Sequence, residues 1–210
     1  MTRSNRRWVL IGITSAAIGV GAALGTRFLT NLADATLPDA RGISNFNRPG
    51  TITLLASNGQ VIQKLGPATR EKLQPGQMPK LVEQAFIAAE DRRFYGHSGV
   101  DLWGIARAVV TNVRQGSVRE GASAITQQLA RTVFLSQDQT ITRKLKEAAL
   151  AMKLERQLSK QKILEQYLNY VYLGSGAYGV ADAAWVYFSK TPTELNLQEA
   201  ALIAGLPPAP

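Results

Sequence analysis

The sequence predicts a mainly α fold with one small β hairpin, and three observations carry that expectation. From about residue 80 onward, apolar residues recur at helical spacing almost without interruption. Asn58-Gly59 lies between two short apolar runs, residues 51–55 and 61–65, which is the pattern of a hairpin. An apolar fraction of 45% in 210 residues is ample for one domain plus an appendage.

The chain opens with a basic tail, residues 1–7, in which Arg3, Arg6 and Arg7 precede an uncharged run over 8–26 closed by Arg27. That run approaches the roughly 20 residues a helix needs to cross a bilayer. Positive charge on the short flank places the tail in the cytoplasm and the bulk of the chain on the outer side of a single-pass anchor. A cleaved signal peptide is the competing reading, because Ala33-Asp34-Ala35 has the small-x-small look of a cleavage site; both readings export the rest. Residues 27–69 read as a linker, broken by Pro38, Gly42, Pro49 and Gly50, followed by the hairpin.

Helices then follow one another. Leu81, Val82, Ala85, Phe86, Ala88 and Ala89 form the apolar face of the first, which runs into Glu90 and Asp91, two arginines, Phe94-Tyr95, the only histidine (His97) and the loop glycines 96 and 99. Further helices are expected over 102–113, over 124–135 with Ser123 as N-cap, and over 140–158. The last of these would turn Ile141, Leu145, Ala148, Ala149, Met152 and Leu154 inward, and its length marks it as the central helix. Residues 160–173 would bury Ile163, Leu164, Tyr167, Leu168, Val171 and Tyr172 on one face. Two more are expected over 178–188 and 196–206, the latter opened by Asn196 with Glu199 three residues on, as in a capping box.

Composition narrows the chemistry. With no cysteine and one histidine, disulfides are excluded and so is a zinc site built on Cys or His, which leaves only a hard cation held by oxygen. A net charge of +9 calls for an anionic partner: a nucleic acid, an acidic membrane surface or a phosphorylated substrate. Export with the domain disfavours nucleic acid. A carboxylate pair at the end of a buried helix, beside a flexible loop, suits proton transfer. The plain alternative is a solvated helix end whose dipole Arg92 and Arg93 complement. Arg143 and Lys144 stand four and three residues before Glu147, so all three project from one surface. As an ordinary surface pair they would contribute only ~0.3 to 0.5 kcal/mol. Thr126, Gln127 and Gln128 with Arg131 form a polar patch on another helix.

Four ordered motifs carry a resemblance. They are Glu90-Asp91-x-x-Phe94-x-x-His97-x-Gly99; Gly121-Ala122-Ser123-Ala124-Ile125-Thr126-Gln127-Gln128; Arg143-Lys144-x-x-Glu147; and Ile163-Leu164-Glu165-x-Tyr167-Leu168-Asn169 running on to Tyr172-Leu173-Gly174. Together they resemble the peptidoglycan glycosyltransferase domain, family 51, of class A penicillin-binding proteins and monofunctional transglycosylases, over residues 70–210. The resemblance implies a lysozyme-like fold that polymerises lipid II outside the cytoplasmic membrane. A growing glycan on polyprenyl diphosphate would be the donor, the 4-hydroxyl of the next lipid II the acceptor, and the product a β-1,4 glycan formed with inversion. Other cell-wall synthesis proteins would be its partners.

On this likeness Glu90 is the candidate base, and Arg131, Arg143 and Lys144 steady the departing diphosphate. Glu147 is the second catalytic candidate, held either by a bridging magnesium ion or by an ion pair with Arg143 or Lys144. Asp91, Phe94, His97, Ser123, Thr126 and Gln128 are candidate substrate-site residues, with His97 also readable as a pin for its loop. Phe86, Trp103, Phe134 and the linker would form a lipid-facing groove.

The match has departures. Ala124 stands where the family usually has threonine, which removes a hydroxyl expected near the diphosphate, and Arg131 stands where a lysine is often found. The motifs stop at residues 207–210, short of where the family's domain closes, and no transpeptidase domain follows within these residues. A lysozyme-like hydrolase and a catalytically impaired membrane-anchored scaffold are the alternatives.

Overall fold

The computed structural model of the chain describes residues 38, 42–43, 52–65, 72–115, 123–135 and 140–207. The expected anchor over 8–26 and most of the linker lie outside them. No helix among the described residues is long and apolar enough to cross a membrane.

The hairpin forms as its sequence dictates. Strands β1 (Ile52–Leu55) and β2 (Val61–Leu65) pair antiparallel, Ile52 opposite Leu65 and Leu54 opposite Gln63, with an irregularity between Leu54 and Leu55. Gly59 takes φ 82°, the conformation for which the turn uses glycine, and the Asn58 side chain accepts the Gln60 N–H at 3.0 Å. Ile52, Leu54, Leu55, Val61 and Ile62 all stay exposed, so the pair adds nothing to the core.

Among the described residues seven helices follow: α1 (Lys80–Glu90), α2 (Leu102–Gln115), α3 (Ile125–Phe134), α4 (Ile141–Gln157), α5 (Lys160–Tyr170), α6 (Val180–Phe188) and α7 (Leu197–Ala204). Short 3-10 turns lie at Phe94–Gly96 and Pro192–Glu194. Helix α1 packs on α7, while α3 packs on both α4 and α5. Val82 and Phe86 from α1, Ile125 and Leu129 from α3, Leu150 and Leu154 from α4, and Ile203 from α7 meet in one apolar cluster around α5.

The central helix is α5 and not the longer α4. Every residue of α5 from Ile163 to Tyr170 is buried, the polar ones included. Buried polar groups need partners, and a strap over residues 72–78 supplies them. Asn169 accepts the Leu73 N–H at 2.9 Å and donates to the Leu73 carbonyl at 3.0 Å. Glu165 accepts the Gly76 N–H at 3.2 Å, and the Lys72 ammonium donates to the Tyr170 hydroxyl at 2.8 Å. Helix α4 instead leaves Leu145 half exposed, against the expected inward pattern, and buries Glu147 and Lys153.

Several boundaries also differ from the sequence expectation. Helix α5 stops at Tyr170, three residues early, because the chain turns back on itself: Gly179 N–H donates to the Val171 carbonyl and Tyr172 bridges to Tyr178. Tyr172 is consequently exposed rather than packed. Gly179 at φ 80° precedes α6, which starts at Val180 and not at 178. The N-cap of α3 is Ala124, one residue after the expected Ser123. Thr140, Ser159 and Asn196 do cap α4, α5 and α7 through their side chains, each accepting a backbone N–H of the first turn. Phe86 is fully buried, so it cannot line a lipid-facing groove with Trp103, which is 71% exposed.

Candidate active site

Glu90 is the last residue of α1, and the extended backbone of Asp91 turns the chain out of the helix. Arg92 donates through Nε to the Ala88 carbonyl at 3.1 Å, closing the helix end, and Arg93 lies 3.7 Å from Asp101. Asp91 is tied down twice. Its Oδ2 accepts the Ile125 N–H at 3.2 Å and lies 3.0 Å from His97 Nε2. Ala124 has no side-chain oxygen with which to cap α3, so the Asp91 carboxylate serves one orphan N–H there from another element. Phe94 is fully buried beneath the loop, with the Lys160 ammonium 4.3 Å above its ring. Gly99, at φ 92°, presses on α4 so closely that a Cβ would come within 2.7 Å of the Ala151 carbonyl carbon.

The Glu90 carboxylate is held on one side only. Oε2 accepts the Gln128 Nε2–H at 2.7 Å, while Oε1 is buried with no partner among the described residues. Burial pushes its pKa above the ordinary glutamate value and the charge of Asp91 adds to this, whereas the Gln128 bond and Arg131 oppose it. Gln128 also accepts the Tyr167 hydroxyl at Oε1, 3.0 Å, and approaches the Ser123 carbonyl at 3.4 Å.

Ser123 connects this carboxylate to the cations. Its Oγ accepts from Lys144 Nζ at 2.6 Å, and Lys144 lies 2.9 Å from Glu147 Oε2. Arg143 bonds to the other oxygen, Oε1. Glu147 is 1% exposed, so its carboxylate would not be tolerated there unpaired. Burial lowers the Lys144 pKa, and the charges of Arg131 and Arg143 lower it further. Arg131 therefore faces both halves, acting on Glu90 and on Lys144. The run Glu90, Gln128, Ser123, Lys144, Glu147, Arg143 is continuous through space although it comes from three separate helices and a loop.

Among the described residues no group of three His, Cys, Asp or Glu could hold a metal ion. Both oxygens of Glu147 are engaged, Oε1 by Arg143 and Oε2 by Lys144. A single carboxylate could help hold magnesium only together with substrate phosphate oxygens, and here it is occupied by two cations. Of the two sequence expectations for Glu147, the ion pair is the arrangement present.

Two of the other candidates face inward. Thr126 is fully buried and donates to Glu155 at 2.6 Å, and Glu155 in turn accepts from Lys160 at 2.7 Å. Phe94 supports the loop from below. Tyr167, Glu155 and Lys160 make contacts at the site that the sequence reading did not assign to them. For Tyr167 the available signal was a phenol on an otherwise aliphatic buried face, since a buried tyrosine hydroxyl usually finds a partner.

A family model described as transglycosylase matches residues 58–210. Penicillin-binding protein 1A of Neisseria flavescens is 50% identical over 174 residues, covering 83% of this chain and 22% of that protein. The Neisseria gonorrhoeae protein of the same name is 49% identical with the same coverage, and that of Aquifex aeolicus is 46% identical over 83% of this chain and 24% of its own length. The chain thus spans about a quarter or less of the length of these relatives.

Proposed function

The chain belongs to the transglycosylase family, and from that premise we propose that it is a peptidoglycan glycosyltransferase that polymerises lipid II on the outer face of the cytoplasmic membrane. The observation that carries this reading is the Glu90 carboxylate, gripped at one oxygen and unpartnered at the other, joined through Gln128 and Ser123 to a paired-cation cluster.

Each part answers a need of the reaction. The acceptor 4-hydroxyl is a poor nucleophile, and Glu90 Oε1 takes its proton as the oxygen bonds to C1 of the donor sugar. The bond from C1 to the polyprenyl diphosphate breaks with its electron pair going to the leaving group, so an α-linked donor becomes a β-1,4 product. A raised pKa brings Glu90 closer to the working pH, where a general base is most effective. Lys144, Arg143 and Arg131 offset the charge that grows on the diphosphate. Glu147 fixes Arg143 and Lys144 in place, and no step is assigned to a metal. Helix α2 leaves Leu102, Trp103 and Val110 in solvent beside the basic Arg107, which suits the lipid surface where the substrate tail resides.

A hydrolase would need a general acid for a sugar leaving group, and the cations here suit a diphosphate instead. Incubation with labelled lipid II, against preformed glycan as control, tests the assignment. Polymer is expected from lipid II and no cleavage of glycan, and Glu90→Gln is expected to lower the rate by about 10² to 10⁴. Chelation of divalent ions should leave polymer formation in place, because Glu147 already has its counter-charges. Wild-type activity restored only by added magnesium would return the metal to the site.

A further inference from the structure

While Glu90 is ionised, the side chain of Gln128 can sit in only one orientation. Its two neighbours at Nε2, the Glu90 carboxylate at 2.7 Å and the Ser123 carbonyl at 3.4 Å, are both acceptors, so Nε2 must face them. Oε1 then points at the Tyr167 hydroxyl at 3.0 Å, which has no choice but to donate. Tyr167 itself is fixed: it lies in the buried stretch of α5 from Ile163 to Tyr170, and its ring stands edge-on to Phe86 at 6.1 Å. Burial, followed by the negative charge of Glu90, pushes its phenol well above the usual tyrosine range, so the hydroxyl keeps its proton.

We propose that Tyr167 is a positioning residue for the catalytic base: its hydroxyl locks the Gln128 amide so that the N–H, and not the carbonyl, meets Glu90 Oε2, which holds the carboxylate ionised and leaves Oε1 aimed at the acceptor. This deepens the glycosyltransferase reading and rests on it. Without the hydroxyl the amide loses the donor that satisfies its oxygen. It can then turn that oxygen toward Glu90, a contact that a carboxylate repels and a protonated acid accepts. The other groups that bear on Glu90 are Asp91, held by His97, and Arg131 from α3; neither touches the amide oxygen.

The test is the pH dependence of kcat/KM for lipid II polymerisation by the full chain, for wild type, Tyr167→Phe, Gln128→Met and the double variant. A base works ionised, so a variant that favours the protonated acid loses activity at higher pH than wild type does. Tyr167→Phe is expected to move the acid limb upward, with about a tenfold loss on that limb that fades toward alkaline pH. Gln128→Met moves it at least as far, and the double variant no further than Gln128→Met alone, because the tyrosine acts only through the amide. A loss by the same factor at every pH, an unmoved limb, or additive shifts in the double variant would overturn the proposal. If wild type makes no polymer at any pH, the glycosyltransferase reading falls instead. The lock is then decided by carbon NMR of the Glu90 carboxyl, whose titration should move to higher pH in Tyr167→Phe and would refute the lock by staying in place.

Discussion

Glu90 carries its charge against the preference of the fold. Burial raises its pKa above the unfolded value, so the folded chain favours the protonated form. The resulting penalty is absent below the ordinary glutamate pKa and grows as pH rises through the raised one. Glu90→Gln, which keeps the shape and removes the charge, should therefore melt above wild type at neutral pH, with the gain vanishing in acid. Melting curves at several pH values check this, and equal shifts throughout would contradict it. The same substitution removes the proposed activity, so function here opposes stability. Glu90, Gln128 and the cations are legible in the sequence because their types and spacing announce charge chemistry. The Tyr167 hydroxyl is not, because helical periodicity registers only the ring, and the inward turn of Thr126 depends on Glu155, 29 residues away.

Helix α5 organises its neighbours by hydrogen bonds as much as by apolar contact. Asn169 closes both backbone groups of Leu73 and so fastens the strap over 72–78 across the core. Asn169→Leu would leave a part-buried N–H and carbonyl without partners and should cost about 2 kcal/mol. Hydrogen exchange should report it as faster exchange around Leu73, with α3 and α4 unaffected. Exchange unchanged at Leu73 would mean that the clasp is not what holds the strap. Helix existence and order follow directly from the apolar spacing, and in α7 the Asn196 cap and the periodicity agree. The centrality of α5 does not, because its Glu165, Gln166 and Asn169 read as a polar face until the strap is seen lying on it. The early end of α5 is hidden for a similar reason: Tyr172 keeps the apolar pattern, but the turn back to Tyr178 takes it away from the core.

The whole chain carries +9, and Arg131, Arg143 and Lys144 gather on the side where an anionic substrate would arrive. Long-range attraction of this kind is screened by salt, with a Debye length of about 10 Å at 0.1 M and 3 Å at 1 M. Across that range the KM for lipid II should rise several-fold while kcat changes little, since the ion pairs on the buried Glu147 are short-range and less exposed to screening. A flat KM would assign the charge to some other partner. Gly99 has a consequence for how such an enzyme can advance along its product. The backbone of the loop that follows Glu90 rests on the backbone of α4, with no room for even a methyl group between them, so Gly99 pins the Glu90 side of the site directly to the helix that carries Arg143, Lys144 and Glu147. On the proposed reaction, a lengthening sugar strand would shift past this seam, where loop and helix could part only by giving up the Gly99 contact.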